Sequence, residues 1–348
     1  MRVLVTGANG HIGSNVVRQA LEEGIDVVPF VRKTSDTRAI DPLGLDYAYG
    51  DVRNAESLVD AAMGCDAIIH TAAVYKNWAR DPDDIIEPAV EGTKNIFIAA
   101  SEAGVDRIVY TSSANSVGVN EEPEPLGEEQ WADEYDFPYG RAKKMAEEHA
   151  HELAEKTGID VVVLCPGAVL GAYDYKITPT TTVARDLVTG DQPVMGGGVC
   201  ITDVRDVARA HVVSLTDAKP GERYLICGTN MSYEEIGQKL EEMFDLDLMR
   251  LNLPKAVLST VGFFSEIGAR ITGNQPQLTR ALAKDIVGKF MFYENDKMRE
   301  ELGIEPRPAD EVLERTMQWL LHMDEVEPPS ERVAEEYAPE PHWPDPAG

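Results

Sequence analysis

The chain has 348 residues, 43% of them hydrophobic, enough to bury the core of a large domain with a smaller partner. Its formal net charge of −29 is spread over the whole length, which makes nucleic acids and anionic membranes poor partners because both would be repelled. The four cysteines lie far apart and form no CxxC pair, so we expect free, buried thiols rather than disulfides or metal ligands.

Neither end of the chain carries an obvious membrane or export segment. The first residues, MRVLVTG, lack the charged and apolar regions of a signal peptide. The longest apolar stretch near the other end, AVLSTVGFFSEIGARITG, is interrupted by Ser, Gly, Glu and Arg, and it predicts a buried or substrate-covering helix. We therefore expect a soluble, cytoplasmic protein.

Short β-branched runs alternate with amphipathic stretches over the first two-thirds of the chain. Strands are predicted at 2–6, 26–31, 45–51, 66–73, 106–113 and 159–166, and helices at 11–23, 54–64, 81–104 and 139–157. The strands are apolar throughout, which is typical of a parallel sheet that is covered on both faces. The pattern predicts an α/β protein with a doubly wound, parallel-sheet Rossmann fold.

The pattern changes after Gly167, and a smaller, mainly helical C-terminal substrate domain is predicted there. Residues 201–215 are expected to form a helix, 222–228 a strand and 232–323 mostly helices. The dinucleotide-binding domain would comprise residues 1–167 and 201–228, and the substrate-binding region residues 168–200 and 229–323. The acidic, Pro-rich residues 324–348 predict a disordered or surface-draped tail.

Three glycines follow the first predicted strand in the segment GANGHIG. A helix N-terminus offers free amides and a positive dipole end to a phosphate. Gly7 would permit a tight turn, Gly10 the approach of a pyrophosphate and Gly13 close helix packing, while the amides of His11 and Ile12 face the ligand. The spacing alone would also suit a flexible turn. Its place at the first βαβ turn favours a dinucleotide site.

The end of the second strand selects between the two nicotinamide dinucleotides. An acidic residue there would bind the ribose of NAD(H), whereas a basic one would accept the 2′-phosphate of NADP(H). This chain has Val31 at that point, followed by Arg32 and Lys33. The two cations favour NADP(H), with Arg32 the better phosphate ligand. An ordinary surface Arg–Lys pair is the alternative, and Asp36 lies close by.

Further cofactor contacts are expected where other strands end, since ligands of open α/β sheets bind at the carboxyl ends of strands. The segment HTAA consists of small residues after its histidine, as though something flat passes over it, and His70 itself is expected to be structural. The candidate contacts at these ends are Asp51, Val52, Thr71, Ala72, Ala73 and Thr111.

Two features supply reactive groups. Tyr139 and Lys143 are four residues apart and share one face of a predicted helix, and Ser112 and Ser113 end the fifth strand. A nearby ammonium lowers the pKa of a tyrosine, so that it can exchange a proton near neutral pH. A carbonyl that accepts hydride needs that proton, and a serine hydroxyl can hold the same oxygen. The groups therefore indicate carbonyl reduction or alcohol oxidation.

The motifs TGANGHIG, GDV, HTAA, YTSS and YGRAK, followed by CPGAVLG and ITDVRDVARAH, resemble the extended short-chain dehydrogenases/reductases of the NAD-dependent epimerase/dehydratase superfamily. The likeness covers about residues 1–230. It implies that Tyr139 is the acid/base, that Ser113 orients the carbonyl, and that Lys143 lowers the pKa of the tyrosine and holds the nicotinamide ribose. Ser112 would be a supporting contact. The resemblance also places Pro166, Gly167, Ala168 and Val169 along the nicotinamide.

Departures from the sugar-nucleotide enzymes favour one branch of that family. Val31 replaces their usual Asp, Ala89 stands where they carry Asn, and the segment before residue 204 lacks their arginine. These features are similar to the dihydroflavonol-reductase-like branch, which implies an NADP(H)-dependent ketone or aldehyde reductase. A sugar or sugar-nucleotide epimerase/dehydratase is the alternative, because some members of the branch are labelled epimerases. A non-catalytic dinucleotide sensor is a third hypothesis.

The small-molecule substrate is expected above the nicotinamide, near Asn115. Four aromatic residues predict an apolar or aromatic pocket wall, with plain packing as the alternative: Tyr75, Trp78, Tyr173 and Tyr175. Lys76 would meet an anionic group or simply be solvated. The acidic segment 121–136 has no convergent His or Cys and predicts a solvated loop rather than a metal site. Helices at about 84–104 and 139–157 are candidates for a homodimer contact.

Overall fold

A computed structural model describes residues 1–73, 75, 78–133, 135–251, 255–272, 276, 278–338 and 343, without the side chains of residues 255, 256, 259 and 270–272. Its central element is a seven-stranded sheet in which every neighbouring pair of strands is parallel. With strands numbered along the chain, their order is β3-β2-β1-β4-β5-β6-β9, and β7 and β8 belong to a second sheet. The strands are β1 (Arg2–Thr6), β2 (Asp26–Val31), β3 (Ala48–Tyr49), β4 (Ala67–His70), β5 (Arg107–Thr111), β6 (Asp160–Pro166) and β9 (Arg223–Ile226). The doubly wound Rossmann fold predicted from the alternating pattern is therefore confirmed.

Helices cover both faces of this sheet. The α-helices of the described residues, including those of the C-terminal region, are α1 (His11–Glu22), α2 (Ala55–Ala62), α3 (Asp83–Ala103), α4 (Pro138–Thr157), α5 (Pro179–Thr189), α6 (Val204–Val213), α7 (Tyr233–Phe244), α8 (Lys255–Thr272), α9 (Arg280–Asp285), α10 (Asp296–Leu302), α11 (Ala309–His322) and α12 (Glu331–Glu336). Helices α1 and α6 pack together on one face, and α2, α3 and α4 on the other. The apolar strands thus lie between two hydrophobic layers, as expected for a parallel sheet.

Local sequence explains where several of these elements begin and end. The Asn54 side chain accepts the Ser57 amide at 3.2 Å and caps α2. Gly104 and Gly158 end α3 and α4 in the left-handed conformation, at φ 72° and 75°. The third strand is only two residues long, much shorter than the predicted 45–51.

A second sheet was not predicted. It consists of β7 (Ala168–Leu170), β8 (Gly198–Asp203), β10 (Thr229–Ser232) and β11 (Phe290–Met291), with β8 paired to the other three. The prediction of a helix over residues 201–215 is wrong in its first turn. The Asp203 side chain accepts the Arg205 amide at 2.8 Å, so the helix begins only at Val204 and the preceding residues continue the strand.

The described part of the acidic tail is folded onto the protein, so of the two predicted alternatives, a disordered or a surface-draped tail, it fits the second. Helix α12 follows Ser330, whose side chain accepts the Val333 amide at 3.3 Å. Val333 is fully buried, and the Tyr337 ring lies 4.9 Å from that of Phe244 in α7, centroid to centroid. Apolar side chains spaced four residues apart therefore attach this segment to the C-terminal lobe.

Truncating Tyr337 should reveal how much this attachment stabilises the protein. We expect Tyr337→Ala to lower the free energy of unfolding by about 3 kcal/mol, because a buried aromatic ring leaves a cavity against Phe244. Urea unfolding followed by circular dichroism measures this change. The control, Glu335→Ala on the exposed side of α12, should stay within about 0.5 kcal/mol. Equal urea midpoints for the two variants would mean that the Tyr337 ring does not stabilise the fold.

The apolar stretch near the C-terminus forms α8, which leaves several large side chains in solvent. Phe264 is 65% exposed and Val261 is 49% exposed, so the helix is not buried as a whole. It packs against α9, where the Arg280 amide donates to Glu266 at 2.8 Å. Across the part of the chain that the structure describes, no helix is long and apolar enough to cross a membrane.

The cysteines are free and buried, as predicted: Cys65, Cys165, Cys200 and Cys227. Burial raises the pKa of the Cys165 thiol to about 12 and also raises that of Cys65. The neutral, unreactive forms of these two thiols therefore dominate at physiological pH.

Candidate functional site

The glycine turn lies at the carboxyl end of β1, beside β4, where the strand order of the sheet reverses. Gly7 has φ +68°, and a Cβ there would lie 2.7 Å from the Ala72 amide nitrogen. A Cβ on Gly13 would lie only 2.2 Å from the Gly7 carbonyl oxygen. Neither position accepts a side chain, so the turn and the first helical turn are pressed against the end of β4.

The turn leaves a helix terminus open to an anion. Gly10 is the N-cap of α1 and no side chain caps the helix, while the Gly10 amide donates to the Gly7 carbonyl oxygen at 2.9 Å. The next amides, of His11 and Ile12, begin the helix at its positive dipole end. A cradle without side chains and lined by amides fits the pyrophosphate of a dinucleotide.

Two hydrogen bonds tie the residues that follow β4 to Thr6 at the end of β1. Thr71 donates its hydroxyl to the Thr6 carbonyl oxygen at 2.7 Å, and the Ala72 amide donates to Thr6 Oγ1 at 3.4 Å. Ala73 is exposed. His70 is buried below, 2.8 Å from Thr6 Oγ1, and stacks on Tyr110, as expected for a structural residue.

A second brace comes from the segment after β7, and sequence reasoning missed it. His11 is buried with Nδ1 3.9 Å from Asp174 Oδ2, and burial lowers its pKa. Asn15 donates to the carbonyl oxygens of His11 and Ala172, at 2.8 and 3.2 Å. Asp174 in turn accepts from the amide and the hydroxyl of Thr178. The phosphate cradle is thus held by the lobe that carries α5.

The predicted 2′-phosphate edge is rich in cations. Arg32 and Lys33 are both exposed after β2, and Arg32 lies near enough to Lys176 to help lower the pKa of that lysine, after the larger effect of burial. The acid that complicated the cofactor prediction, Asp36, is paired with Arg38 at 2.8 Å. Its charge is therefore compensated locally.

The predicted adenine edge lies after β3. Asp51 binds Arg53 at 2.8 Å, and this hydrogen bond lowers the pKa of Asp51 to about 2. The Val52 carbonyl oxygen accepts from Asn95 Nδ2 at 3.0 Å, which ties the segment to α3. Both residues lie at the same strand-end edge as Arg32.

Tyr139 and Lys143 lie on α4 and reach the end of β5. Lys143 is buried, and its Nζ donates to the Thr111 carbonyl oxygen at 3.0 Å. Ser113 Oγ accepts both the amide and the side-chain nitrogen of Asn115, each at 3.3 Å, and hydrogen-bonds Tyr139. The structure therefore brings the three predicted catalytic groups together at the end of β5.

Burial dominates the electrostatics of these groups. It raises the pKa of Tyr139 well above its usual value, an effect that the hydrogen bond from Ser113 only partly opposes. The lowering expected from Lys143 does not appear among the influences on Tyr139. Burial also lowers the pKa of Lys143 to about 8, while Cys165 and Glu147 act in the opposite direction. Lys143 is therefore cationic at neutral pH but close to losing its proton.

Other predicted contacts lie around these groups. Thr111 Oγ1 is 2.7 Å from His211 Nε2 on α6, so its side chain faces the helix layer. Ser112 donates its hydroxyl to Glu147 rather than to the reactive groups. Sequence reasoning missed Glu147, a fully buried carboxylate one turn beyond Lys143, and its partner Arg223 at 2.6 Å.

The segment expected along the nicotinamide joins the two sheets. Pro166 ends β6, and the Gly167 amide donates to the Ile226 carbonyl oxygen at 3.1 Å. A Cβ on Gly167 would lie 2.8 Å from Thr202 Oγ1, so only glycine fits. Ala168 and Val169 then pair with β8, at Ile201 and Thr202. The segment is thus rigidly placed at a strand end.

Only part of the predicted aromatic wall faces the site. The Tyr75 ring lies 4.8 Å from that of Tyr139, and its hydroxyl is 2.7 Å from Thr180 Oγ1 on α5. The Phe137 ring also flanks Tyr139, at 6.1 Å. Trp78 is half-buried, and Lys76 lies outside the described residues.

Tyr173 and Tyr175 do not join Tyr139, and for them the packing alternative applies. Their rings lie 5.4 and 5.0 Å from Trp319 in a buried aromatic cluster that includes Trp343. The Arg18 guanidinium stacks on Tyr173 at 3.7 Å. Contacts with α11 and the tail, distant in sequence, direct these two side chains away from Tyr139.

Known proteins match this chain over most of its length. The model of the NAD dependent epimerase/dehydratase family matches residues 3–227. A Synechocystis sp. protein provisionally named dihydroflavonol 4-reductase is 30% identical over 91% of this chain and 93% of its own length. Cinnamoyl-CoA reductase 1 of Oryza sativa subsp. japonica is 36% identical over 70% of this chain and 75% of its own length.

Solved structures share the whole fold. That of gox2253 has a TM-score of 0.82 and 32% identity, and covers 93% of this chain and 99% of its own. Two structures at 21% identity and a TM-score of 0.73 share the fold alone: UDP-glucose 4-epimerase from Thermus thermophilus with NAD, and yeast methylglyoxal/isovaleraldehyde reductase Gre2 with NADPH. They cover 92% and 94% of this chain, and 99% and 100% of their own.

The matches agree with the resemblance read from the motifs, including its dihydroflavonol-reductase-like branch. They identify an enzyme of the NAD(P)-dependent short-chain dehydrogenase/reductase type, which argues against the sensor hypothesis. With a family match across 3–227 and relatives at 30% identity or more, the chain belongs to the NAD-dependent epimerase/dehydratase family.

Proposed function

We propose that this protein is an NADP(H)-dependent reductase of ketones or aldehydes, which also oxidises the corresponding alcohols. The observation that carries the proposal is the convergence of Tyr139, Ser113 and Lys143 at the end of β5, beneath the ring of Tyr75. Relatives named as cinnamoyl-CoA and dihydroflavonol reductases support a carbonyl substrate. Residues 168–200 and 229–323 are proposed to form the substrate-binding region.

The chain's own groups handle the carbonyl oxygen and its proton. A bound nicotinamide supplies the hydride that reaches the carbonyl carbon. Ser113 donates a hydrogen bond to the oxygen, while Tyr139 transfers its hydroxyl proton to it as negative charge develops. We propose that the Lys143 ammonium stabilises the resulting phenolate, although the pKa of Tyr139 in this structure is governed by burial and shows no influence of Lys143. Reprotonation of Tyr139 completes the cycle.

The cofactor would be held along the strand ends already described. The amides that follow Gly10 would bind the pyrophosphate, Asp51 and Val52 would flank the adenine, and Lys143 would hold the nicotinamide ribose. Small side chains at Thr71, Ala72 and Ala73 leave room for the dinucleotide, and Thr111, Pro166, Gly167, Ala168 and Val169 would line the nicotinamide end. Arg32, with Lys33, would bind the 2′-phosphate.

Removing the Arg32 cation should change cofactor preference. We expect Arg32→Ala to raise the KM for NADPH by about 10- to 100-fold, because a charge-assisted contact to the 2′-phosphate is lost. The KM for NADH should change little. Initial rates with each cofactor measure both values.

Arg2→Ala is a matched control for that experiment. It removes the same charge at the start of β1, at the amino ends of the strands and so away from the predicted cofactor site. There Arg2 Nε lies 3.5 Å from Asp26 Oδ2. Its two KM values should match those of the unmodified protein. If the KM for NADPH and the KM for NADH were each the same in Arg32→Ala as in the unmodified protein, Arg32 would not bind the 2′-phosphate.

A screen for cofactor consumption tests the proposed reaction. Aldehydes, aryl ketones, flavanonols, steroids and sugar nucleotides are supplied in turn with NADPH or NADH, and absorbance at the reduced nicotinamide band is followed. We expect net oxidation of NADPH with at least one carbonyl class. Conversion of a sugar nucleotide with no net consumption of NADPH or NADH, by protein that retains its cofactor through purification, would instead support an epimerase or dehydratase.

We also propose that α3 and α4 form a homodimer contact.

A further inference from the structure

Beneath the reactive groups lies a buried ion pair that the proposed reaction does not use directly. Glu147 is fully buried on α4, and its Oε1 lies 2.6 Å from Arg223 Nε on β9. Isolated buried charges are costly, and a buried pair is often no more stable than apolar residues would be. The pair therefore calls for an explanation other than stability.

The carboxylate of Glu147 is connected to the end of β5. Ser112 donates its hydroxyl to Glu147 Oε2, and the Ser112 amide donates to the Leu164 carbonyl oxygen at 2.8 Å. Cys165 Sγ lies 3.8 Å from both carboxylate oxygens. Since Ser112 immediately precedes Ser113, the contact fixes the direction in which the Ser113 hydroxyl leaves the strand.

The guanidinium of Arg223 is held on every side. It donates to the carbonyl oxygens of Glu128 and Gln130 at 2.9 and 2.8 Å, and to Ser116 Oγ at 3.0 Å. It also stacks on the Trp131 ring at 3.8 Å. The cation thus has no freedom to swing away from Glu147.

Lys143 is the proposed catalytic group that interacts electrostatically with this pair. Tyr139, Lys143 and Glu147 follow one another at four-residue spacing, so they share one face of α4. The negative charge of Glu147 favours the ammonium form of Lys143, against the larger effect of burial. Other titratable or charged groups interact with Lys143 or Glu147: His70 on β4, Tyr110 on β5, Cys165 on β6, Arg223 on β9 and His151 on α4.

We propose that Glu147 is a positioning residue of the catalytic site, which keeps the Lys143 ammonium charged and, through Ser112, aims Ser113. Arg223, itself fixed by Glu128, Gln130 and Ser116, holds the carboxylate in place. The inference rests on the proposed function, because it assigns Lys143 a task only if Tyr139 exchanges a proton with substrate. Its test therefore needs a readout that does not depend on turnover.

Three variants provide this test. Glu147→Gln keeps the shape but leaves two buried cations, so the titration midpoint of Lys143 should fall by about one pH unit. Arg223→Gln should raise that midpoint. The double variant Glu147→Gln/Arg223→Gln removes both charges and should bring the midpoint back near that of the unmodified protein. A purely structural pair would show no such recovery.

Two measurements of the Lys143 titration are made on each variant. In protein labelled with ¹³C at the lysine Cε, the Lys143 resonance, assigned by its loss in Lys143→Met, reports the midpoint directly. The pH profile of kcat reports the same group, because activity is lost as pH rises through that midpoint and the ammonium disappears. The alkaline limb should move down for Glu147→Gln and return in the double variant.

The outcomes separate the two proposals. An unchanged Lys143 midpoint in Glu147→Gln, or shifts of one sign in both single variants, would overturn the role of Glu147. Opposite shifts in the resonance, with turnover that does not depend on Tyr139, would leave the charge coupling intact and overturn the proposed reaction instead.

Discussion

Replacing Tyr139 by Phe should lower kcat by about 10³-fold while leaving NADPH binding within about twofold of the unmodified protein. The substitution removes one hydroxyl and keeps the ring, which packs against Tyr75 at 4.8 Å and Phe137 at 6.1 Å. The hydroxyl is the only part of this side chain that can give a proton to a carbonyl oxygen. Single-turnover rates and NADPH fluorescence titration separate the chemical step from binding.

Tyr135→Phe is a matched control for this experiment. Tyr135 is another buried tyrosine in the segment that leads into α4, and its ring lies against Gly140. Loss of its hydroxyl should change kcat by less than about twofold. If Tyr139→Phe kept near-normal turnover, Tyr139 would not be the acid/base, whatever its position.

The second large effect is expected at the glycine turn. Gly7→Ala should destabilise the protein by about 3 kcal/mol, from the strain of a left-handed backbone and from the contact of a new Cβ with β4. The same atom should weaken NADPH binding at least tenfold, because it shifts the amides that face the pyrophosphate. Thermal unfolding and cofactor titration measure the two effects.

Gly24→Ala separates strain from contact. Gly24 has φ +74°, close to the φ +68° of Gly7, but nothing lies within 4 Å of the Cβ it would carry. It should cost only about 1 kcal/mol and leave cofactor affinity unchanged. Equal losses of stability and affinity in the two variants would mean that the close approach of Gly7 to Ala72 has no functional part.

The central sheet was predictable from sequence because its signals are local. Most of its strands are short apolar runs that alternate with amphipathic helices, and such units combine into a parallel sheet with few alternatives. The same order places the ends of β1, β4 and β5 along one edge. Candidate residues such as Gly7, Thr71 and Ser113 could therefore be selected by position, without knowledge of any side-chain contact.

What could not be predicted depends on contacts between distant segments. The second sheet joins β8 to Phe290 and Met291, and two-residue strands carry no recognisable pattern. Arg223 and Glu147 are both ordinary charged residues until β9 is placed beside β6. Tyr173 is drawn into packing by Trp319, which lies far along the chain. In each case tertiary neighbours determine the role of the side chain.

The most direct test of the account follows deuterium from the cofactor to the product. A carbonyl substrate found in the screen is reduced with NADPH that carries deuterium at both C4 positions of the nicotinamide, and the product is examined by mass spectrometry and NMR. We expect one deuterium at the carbinol carbon of each product molecule, with one NADP⁺ formed for each alcohol. Product formed without deuterium at that carbon and without consumption of NADPH would contradict it.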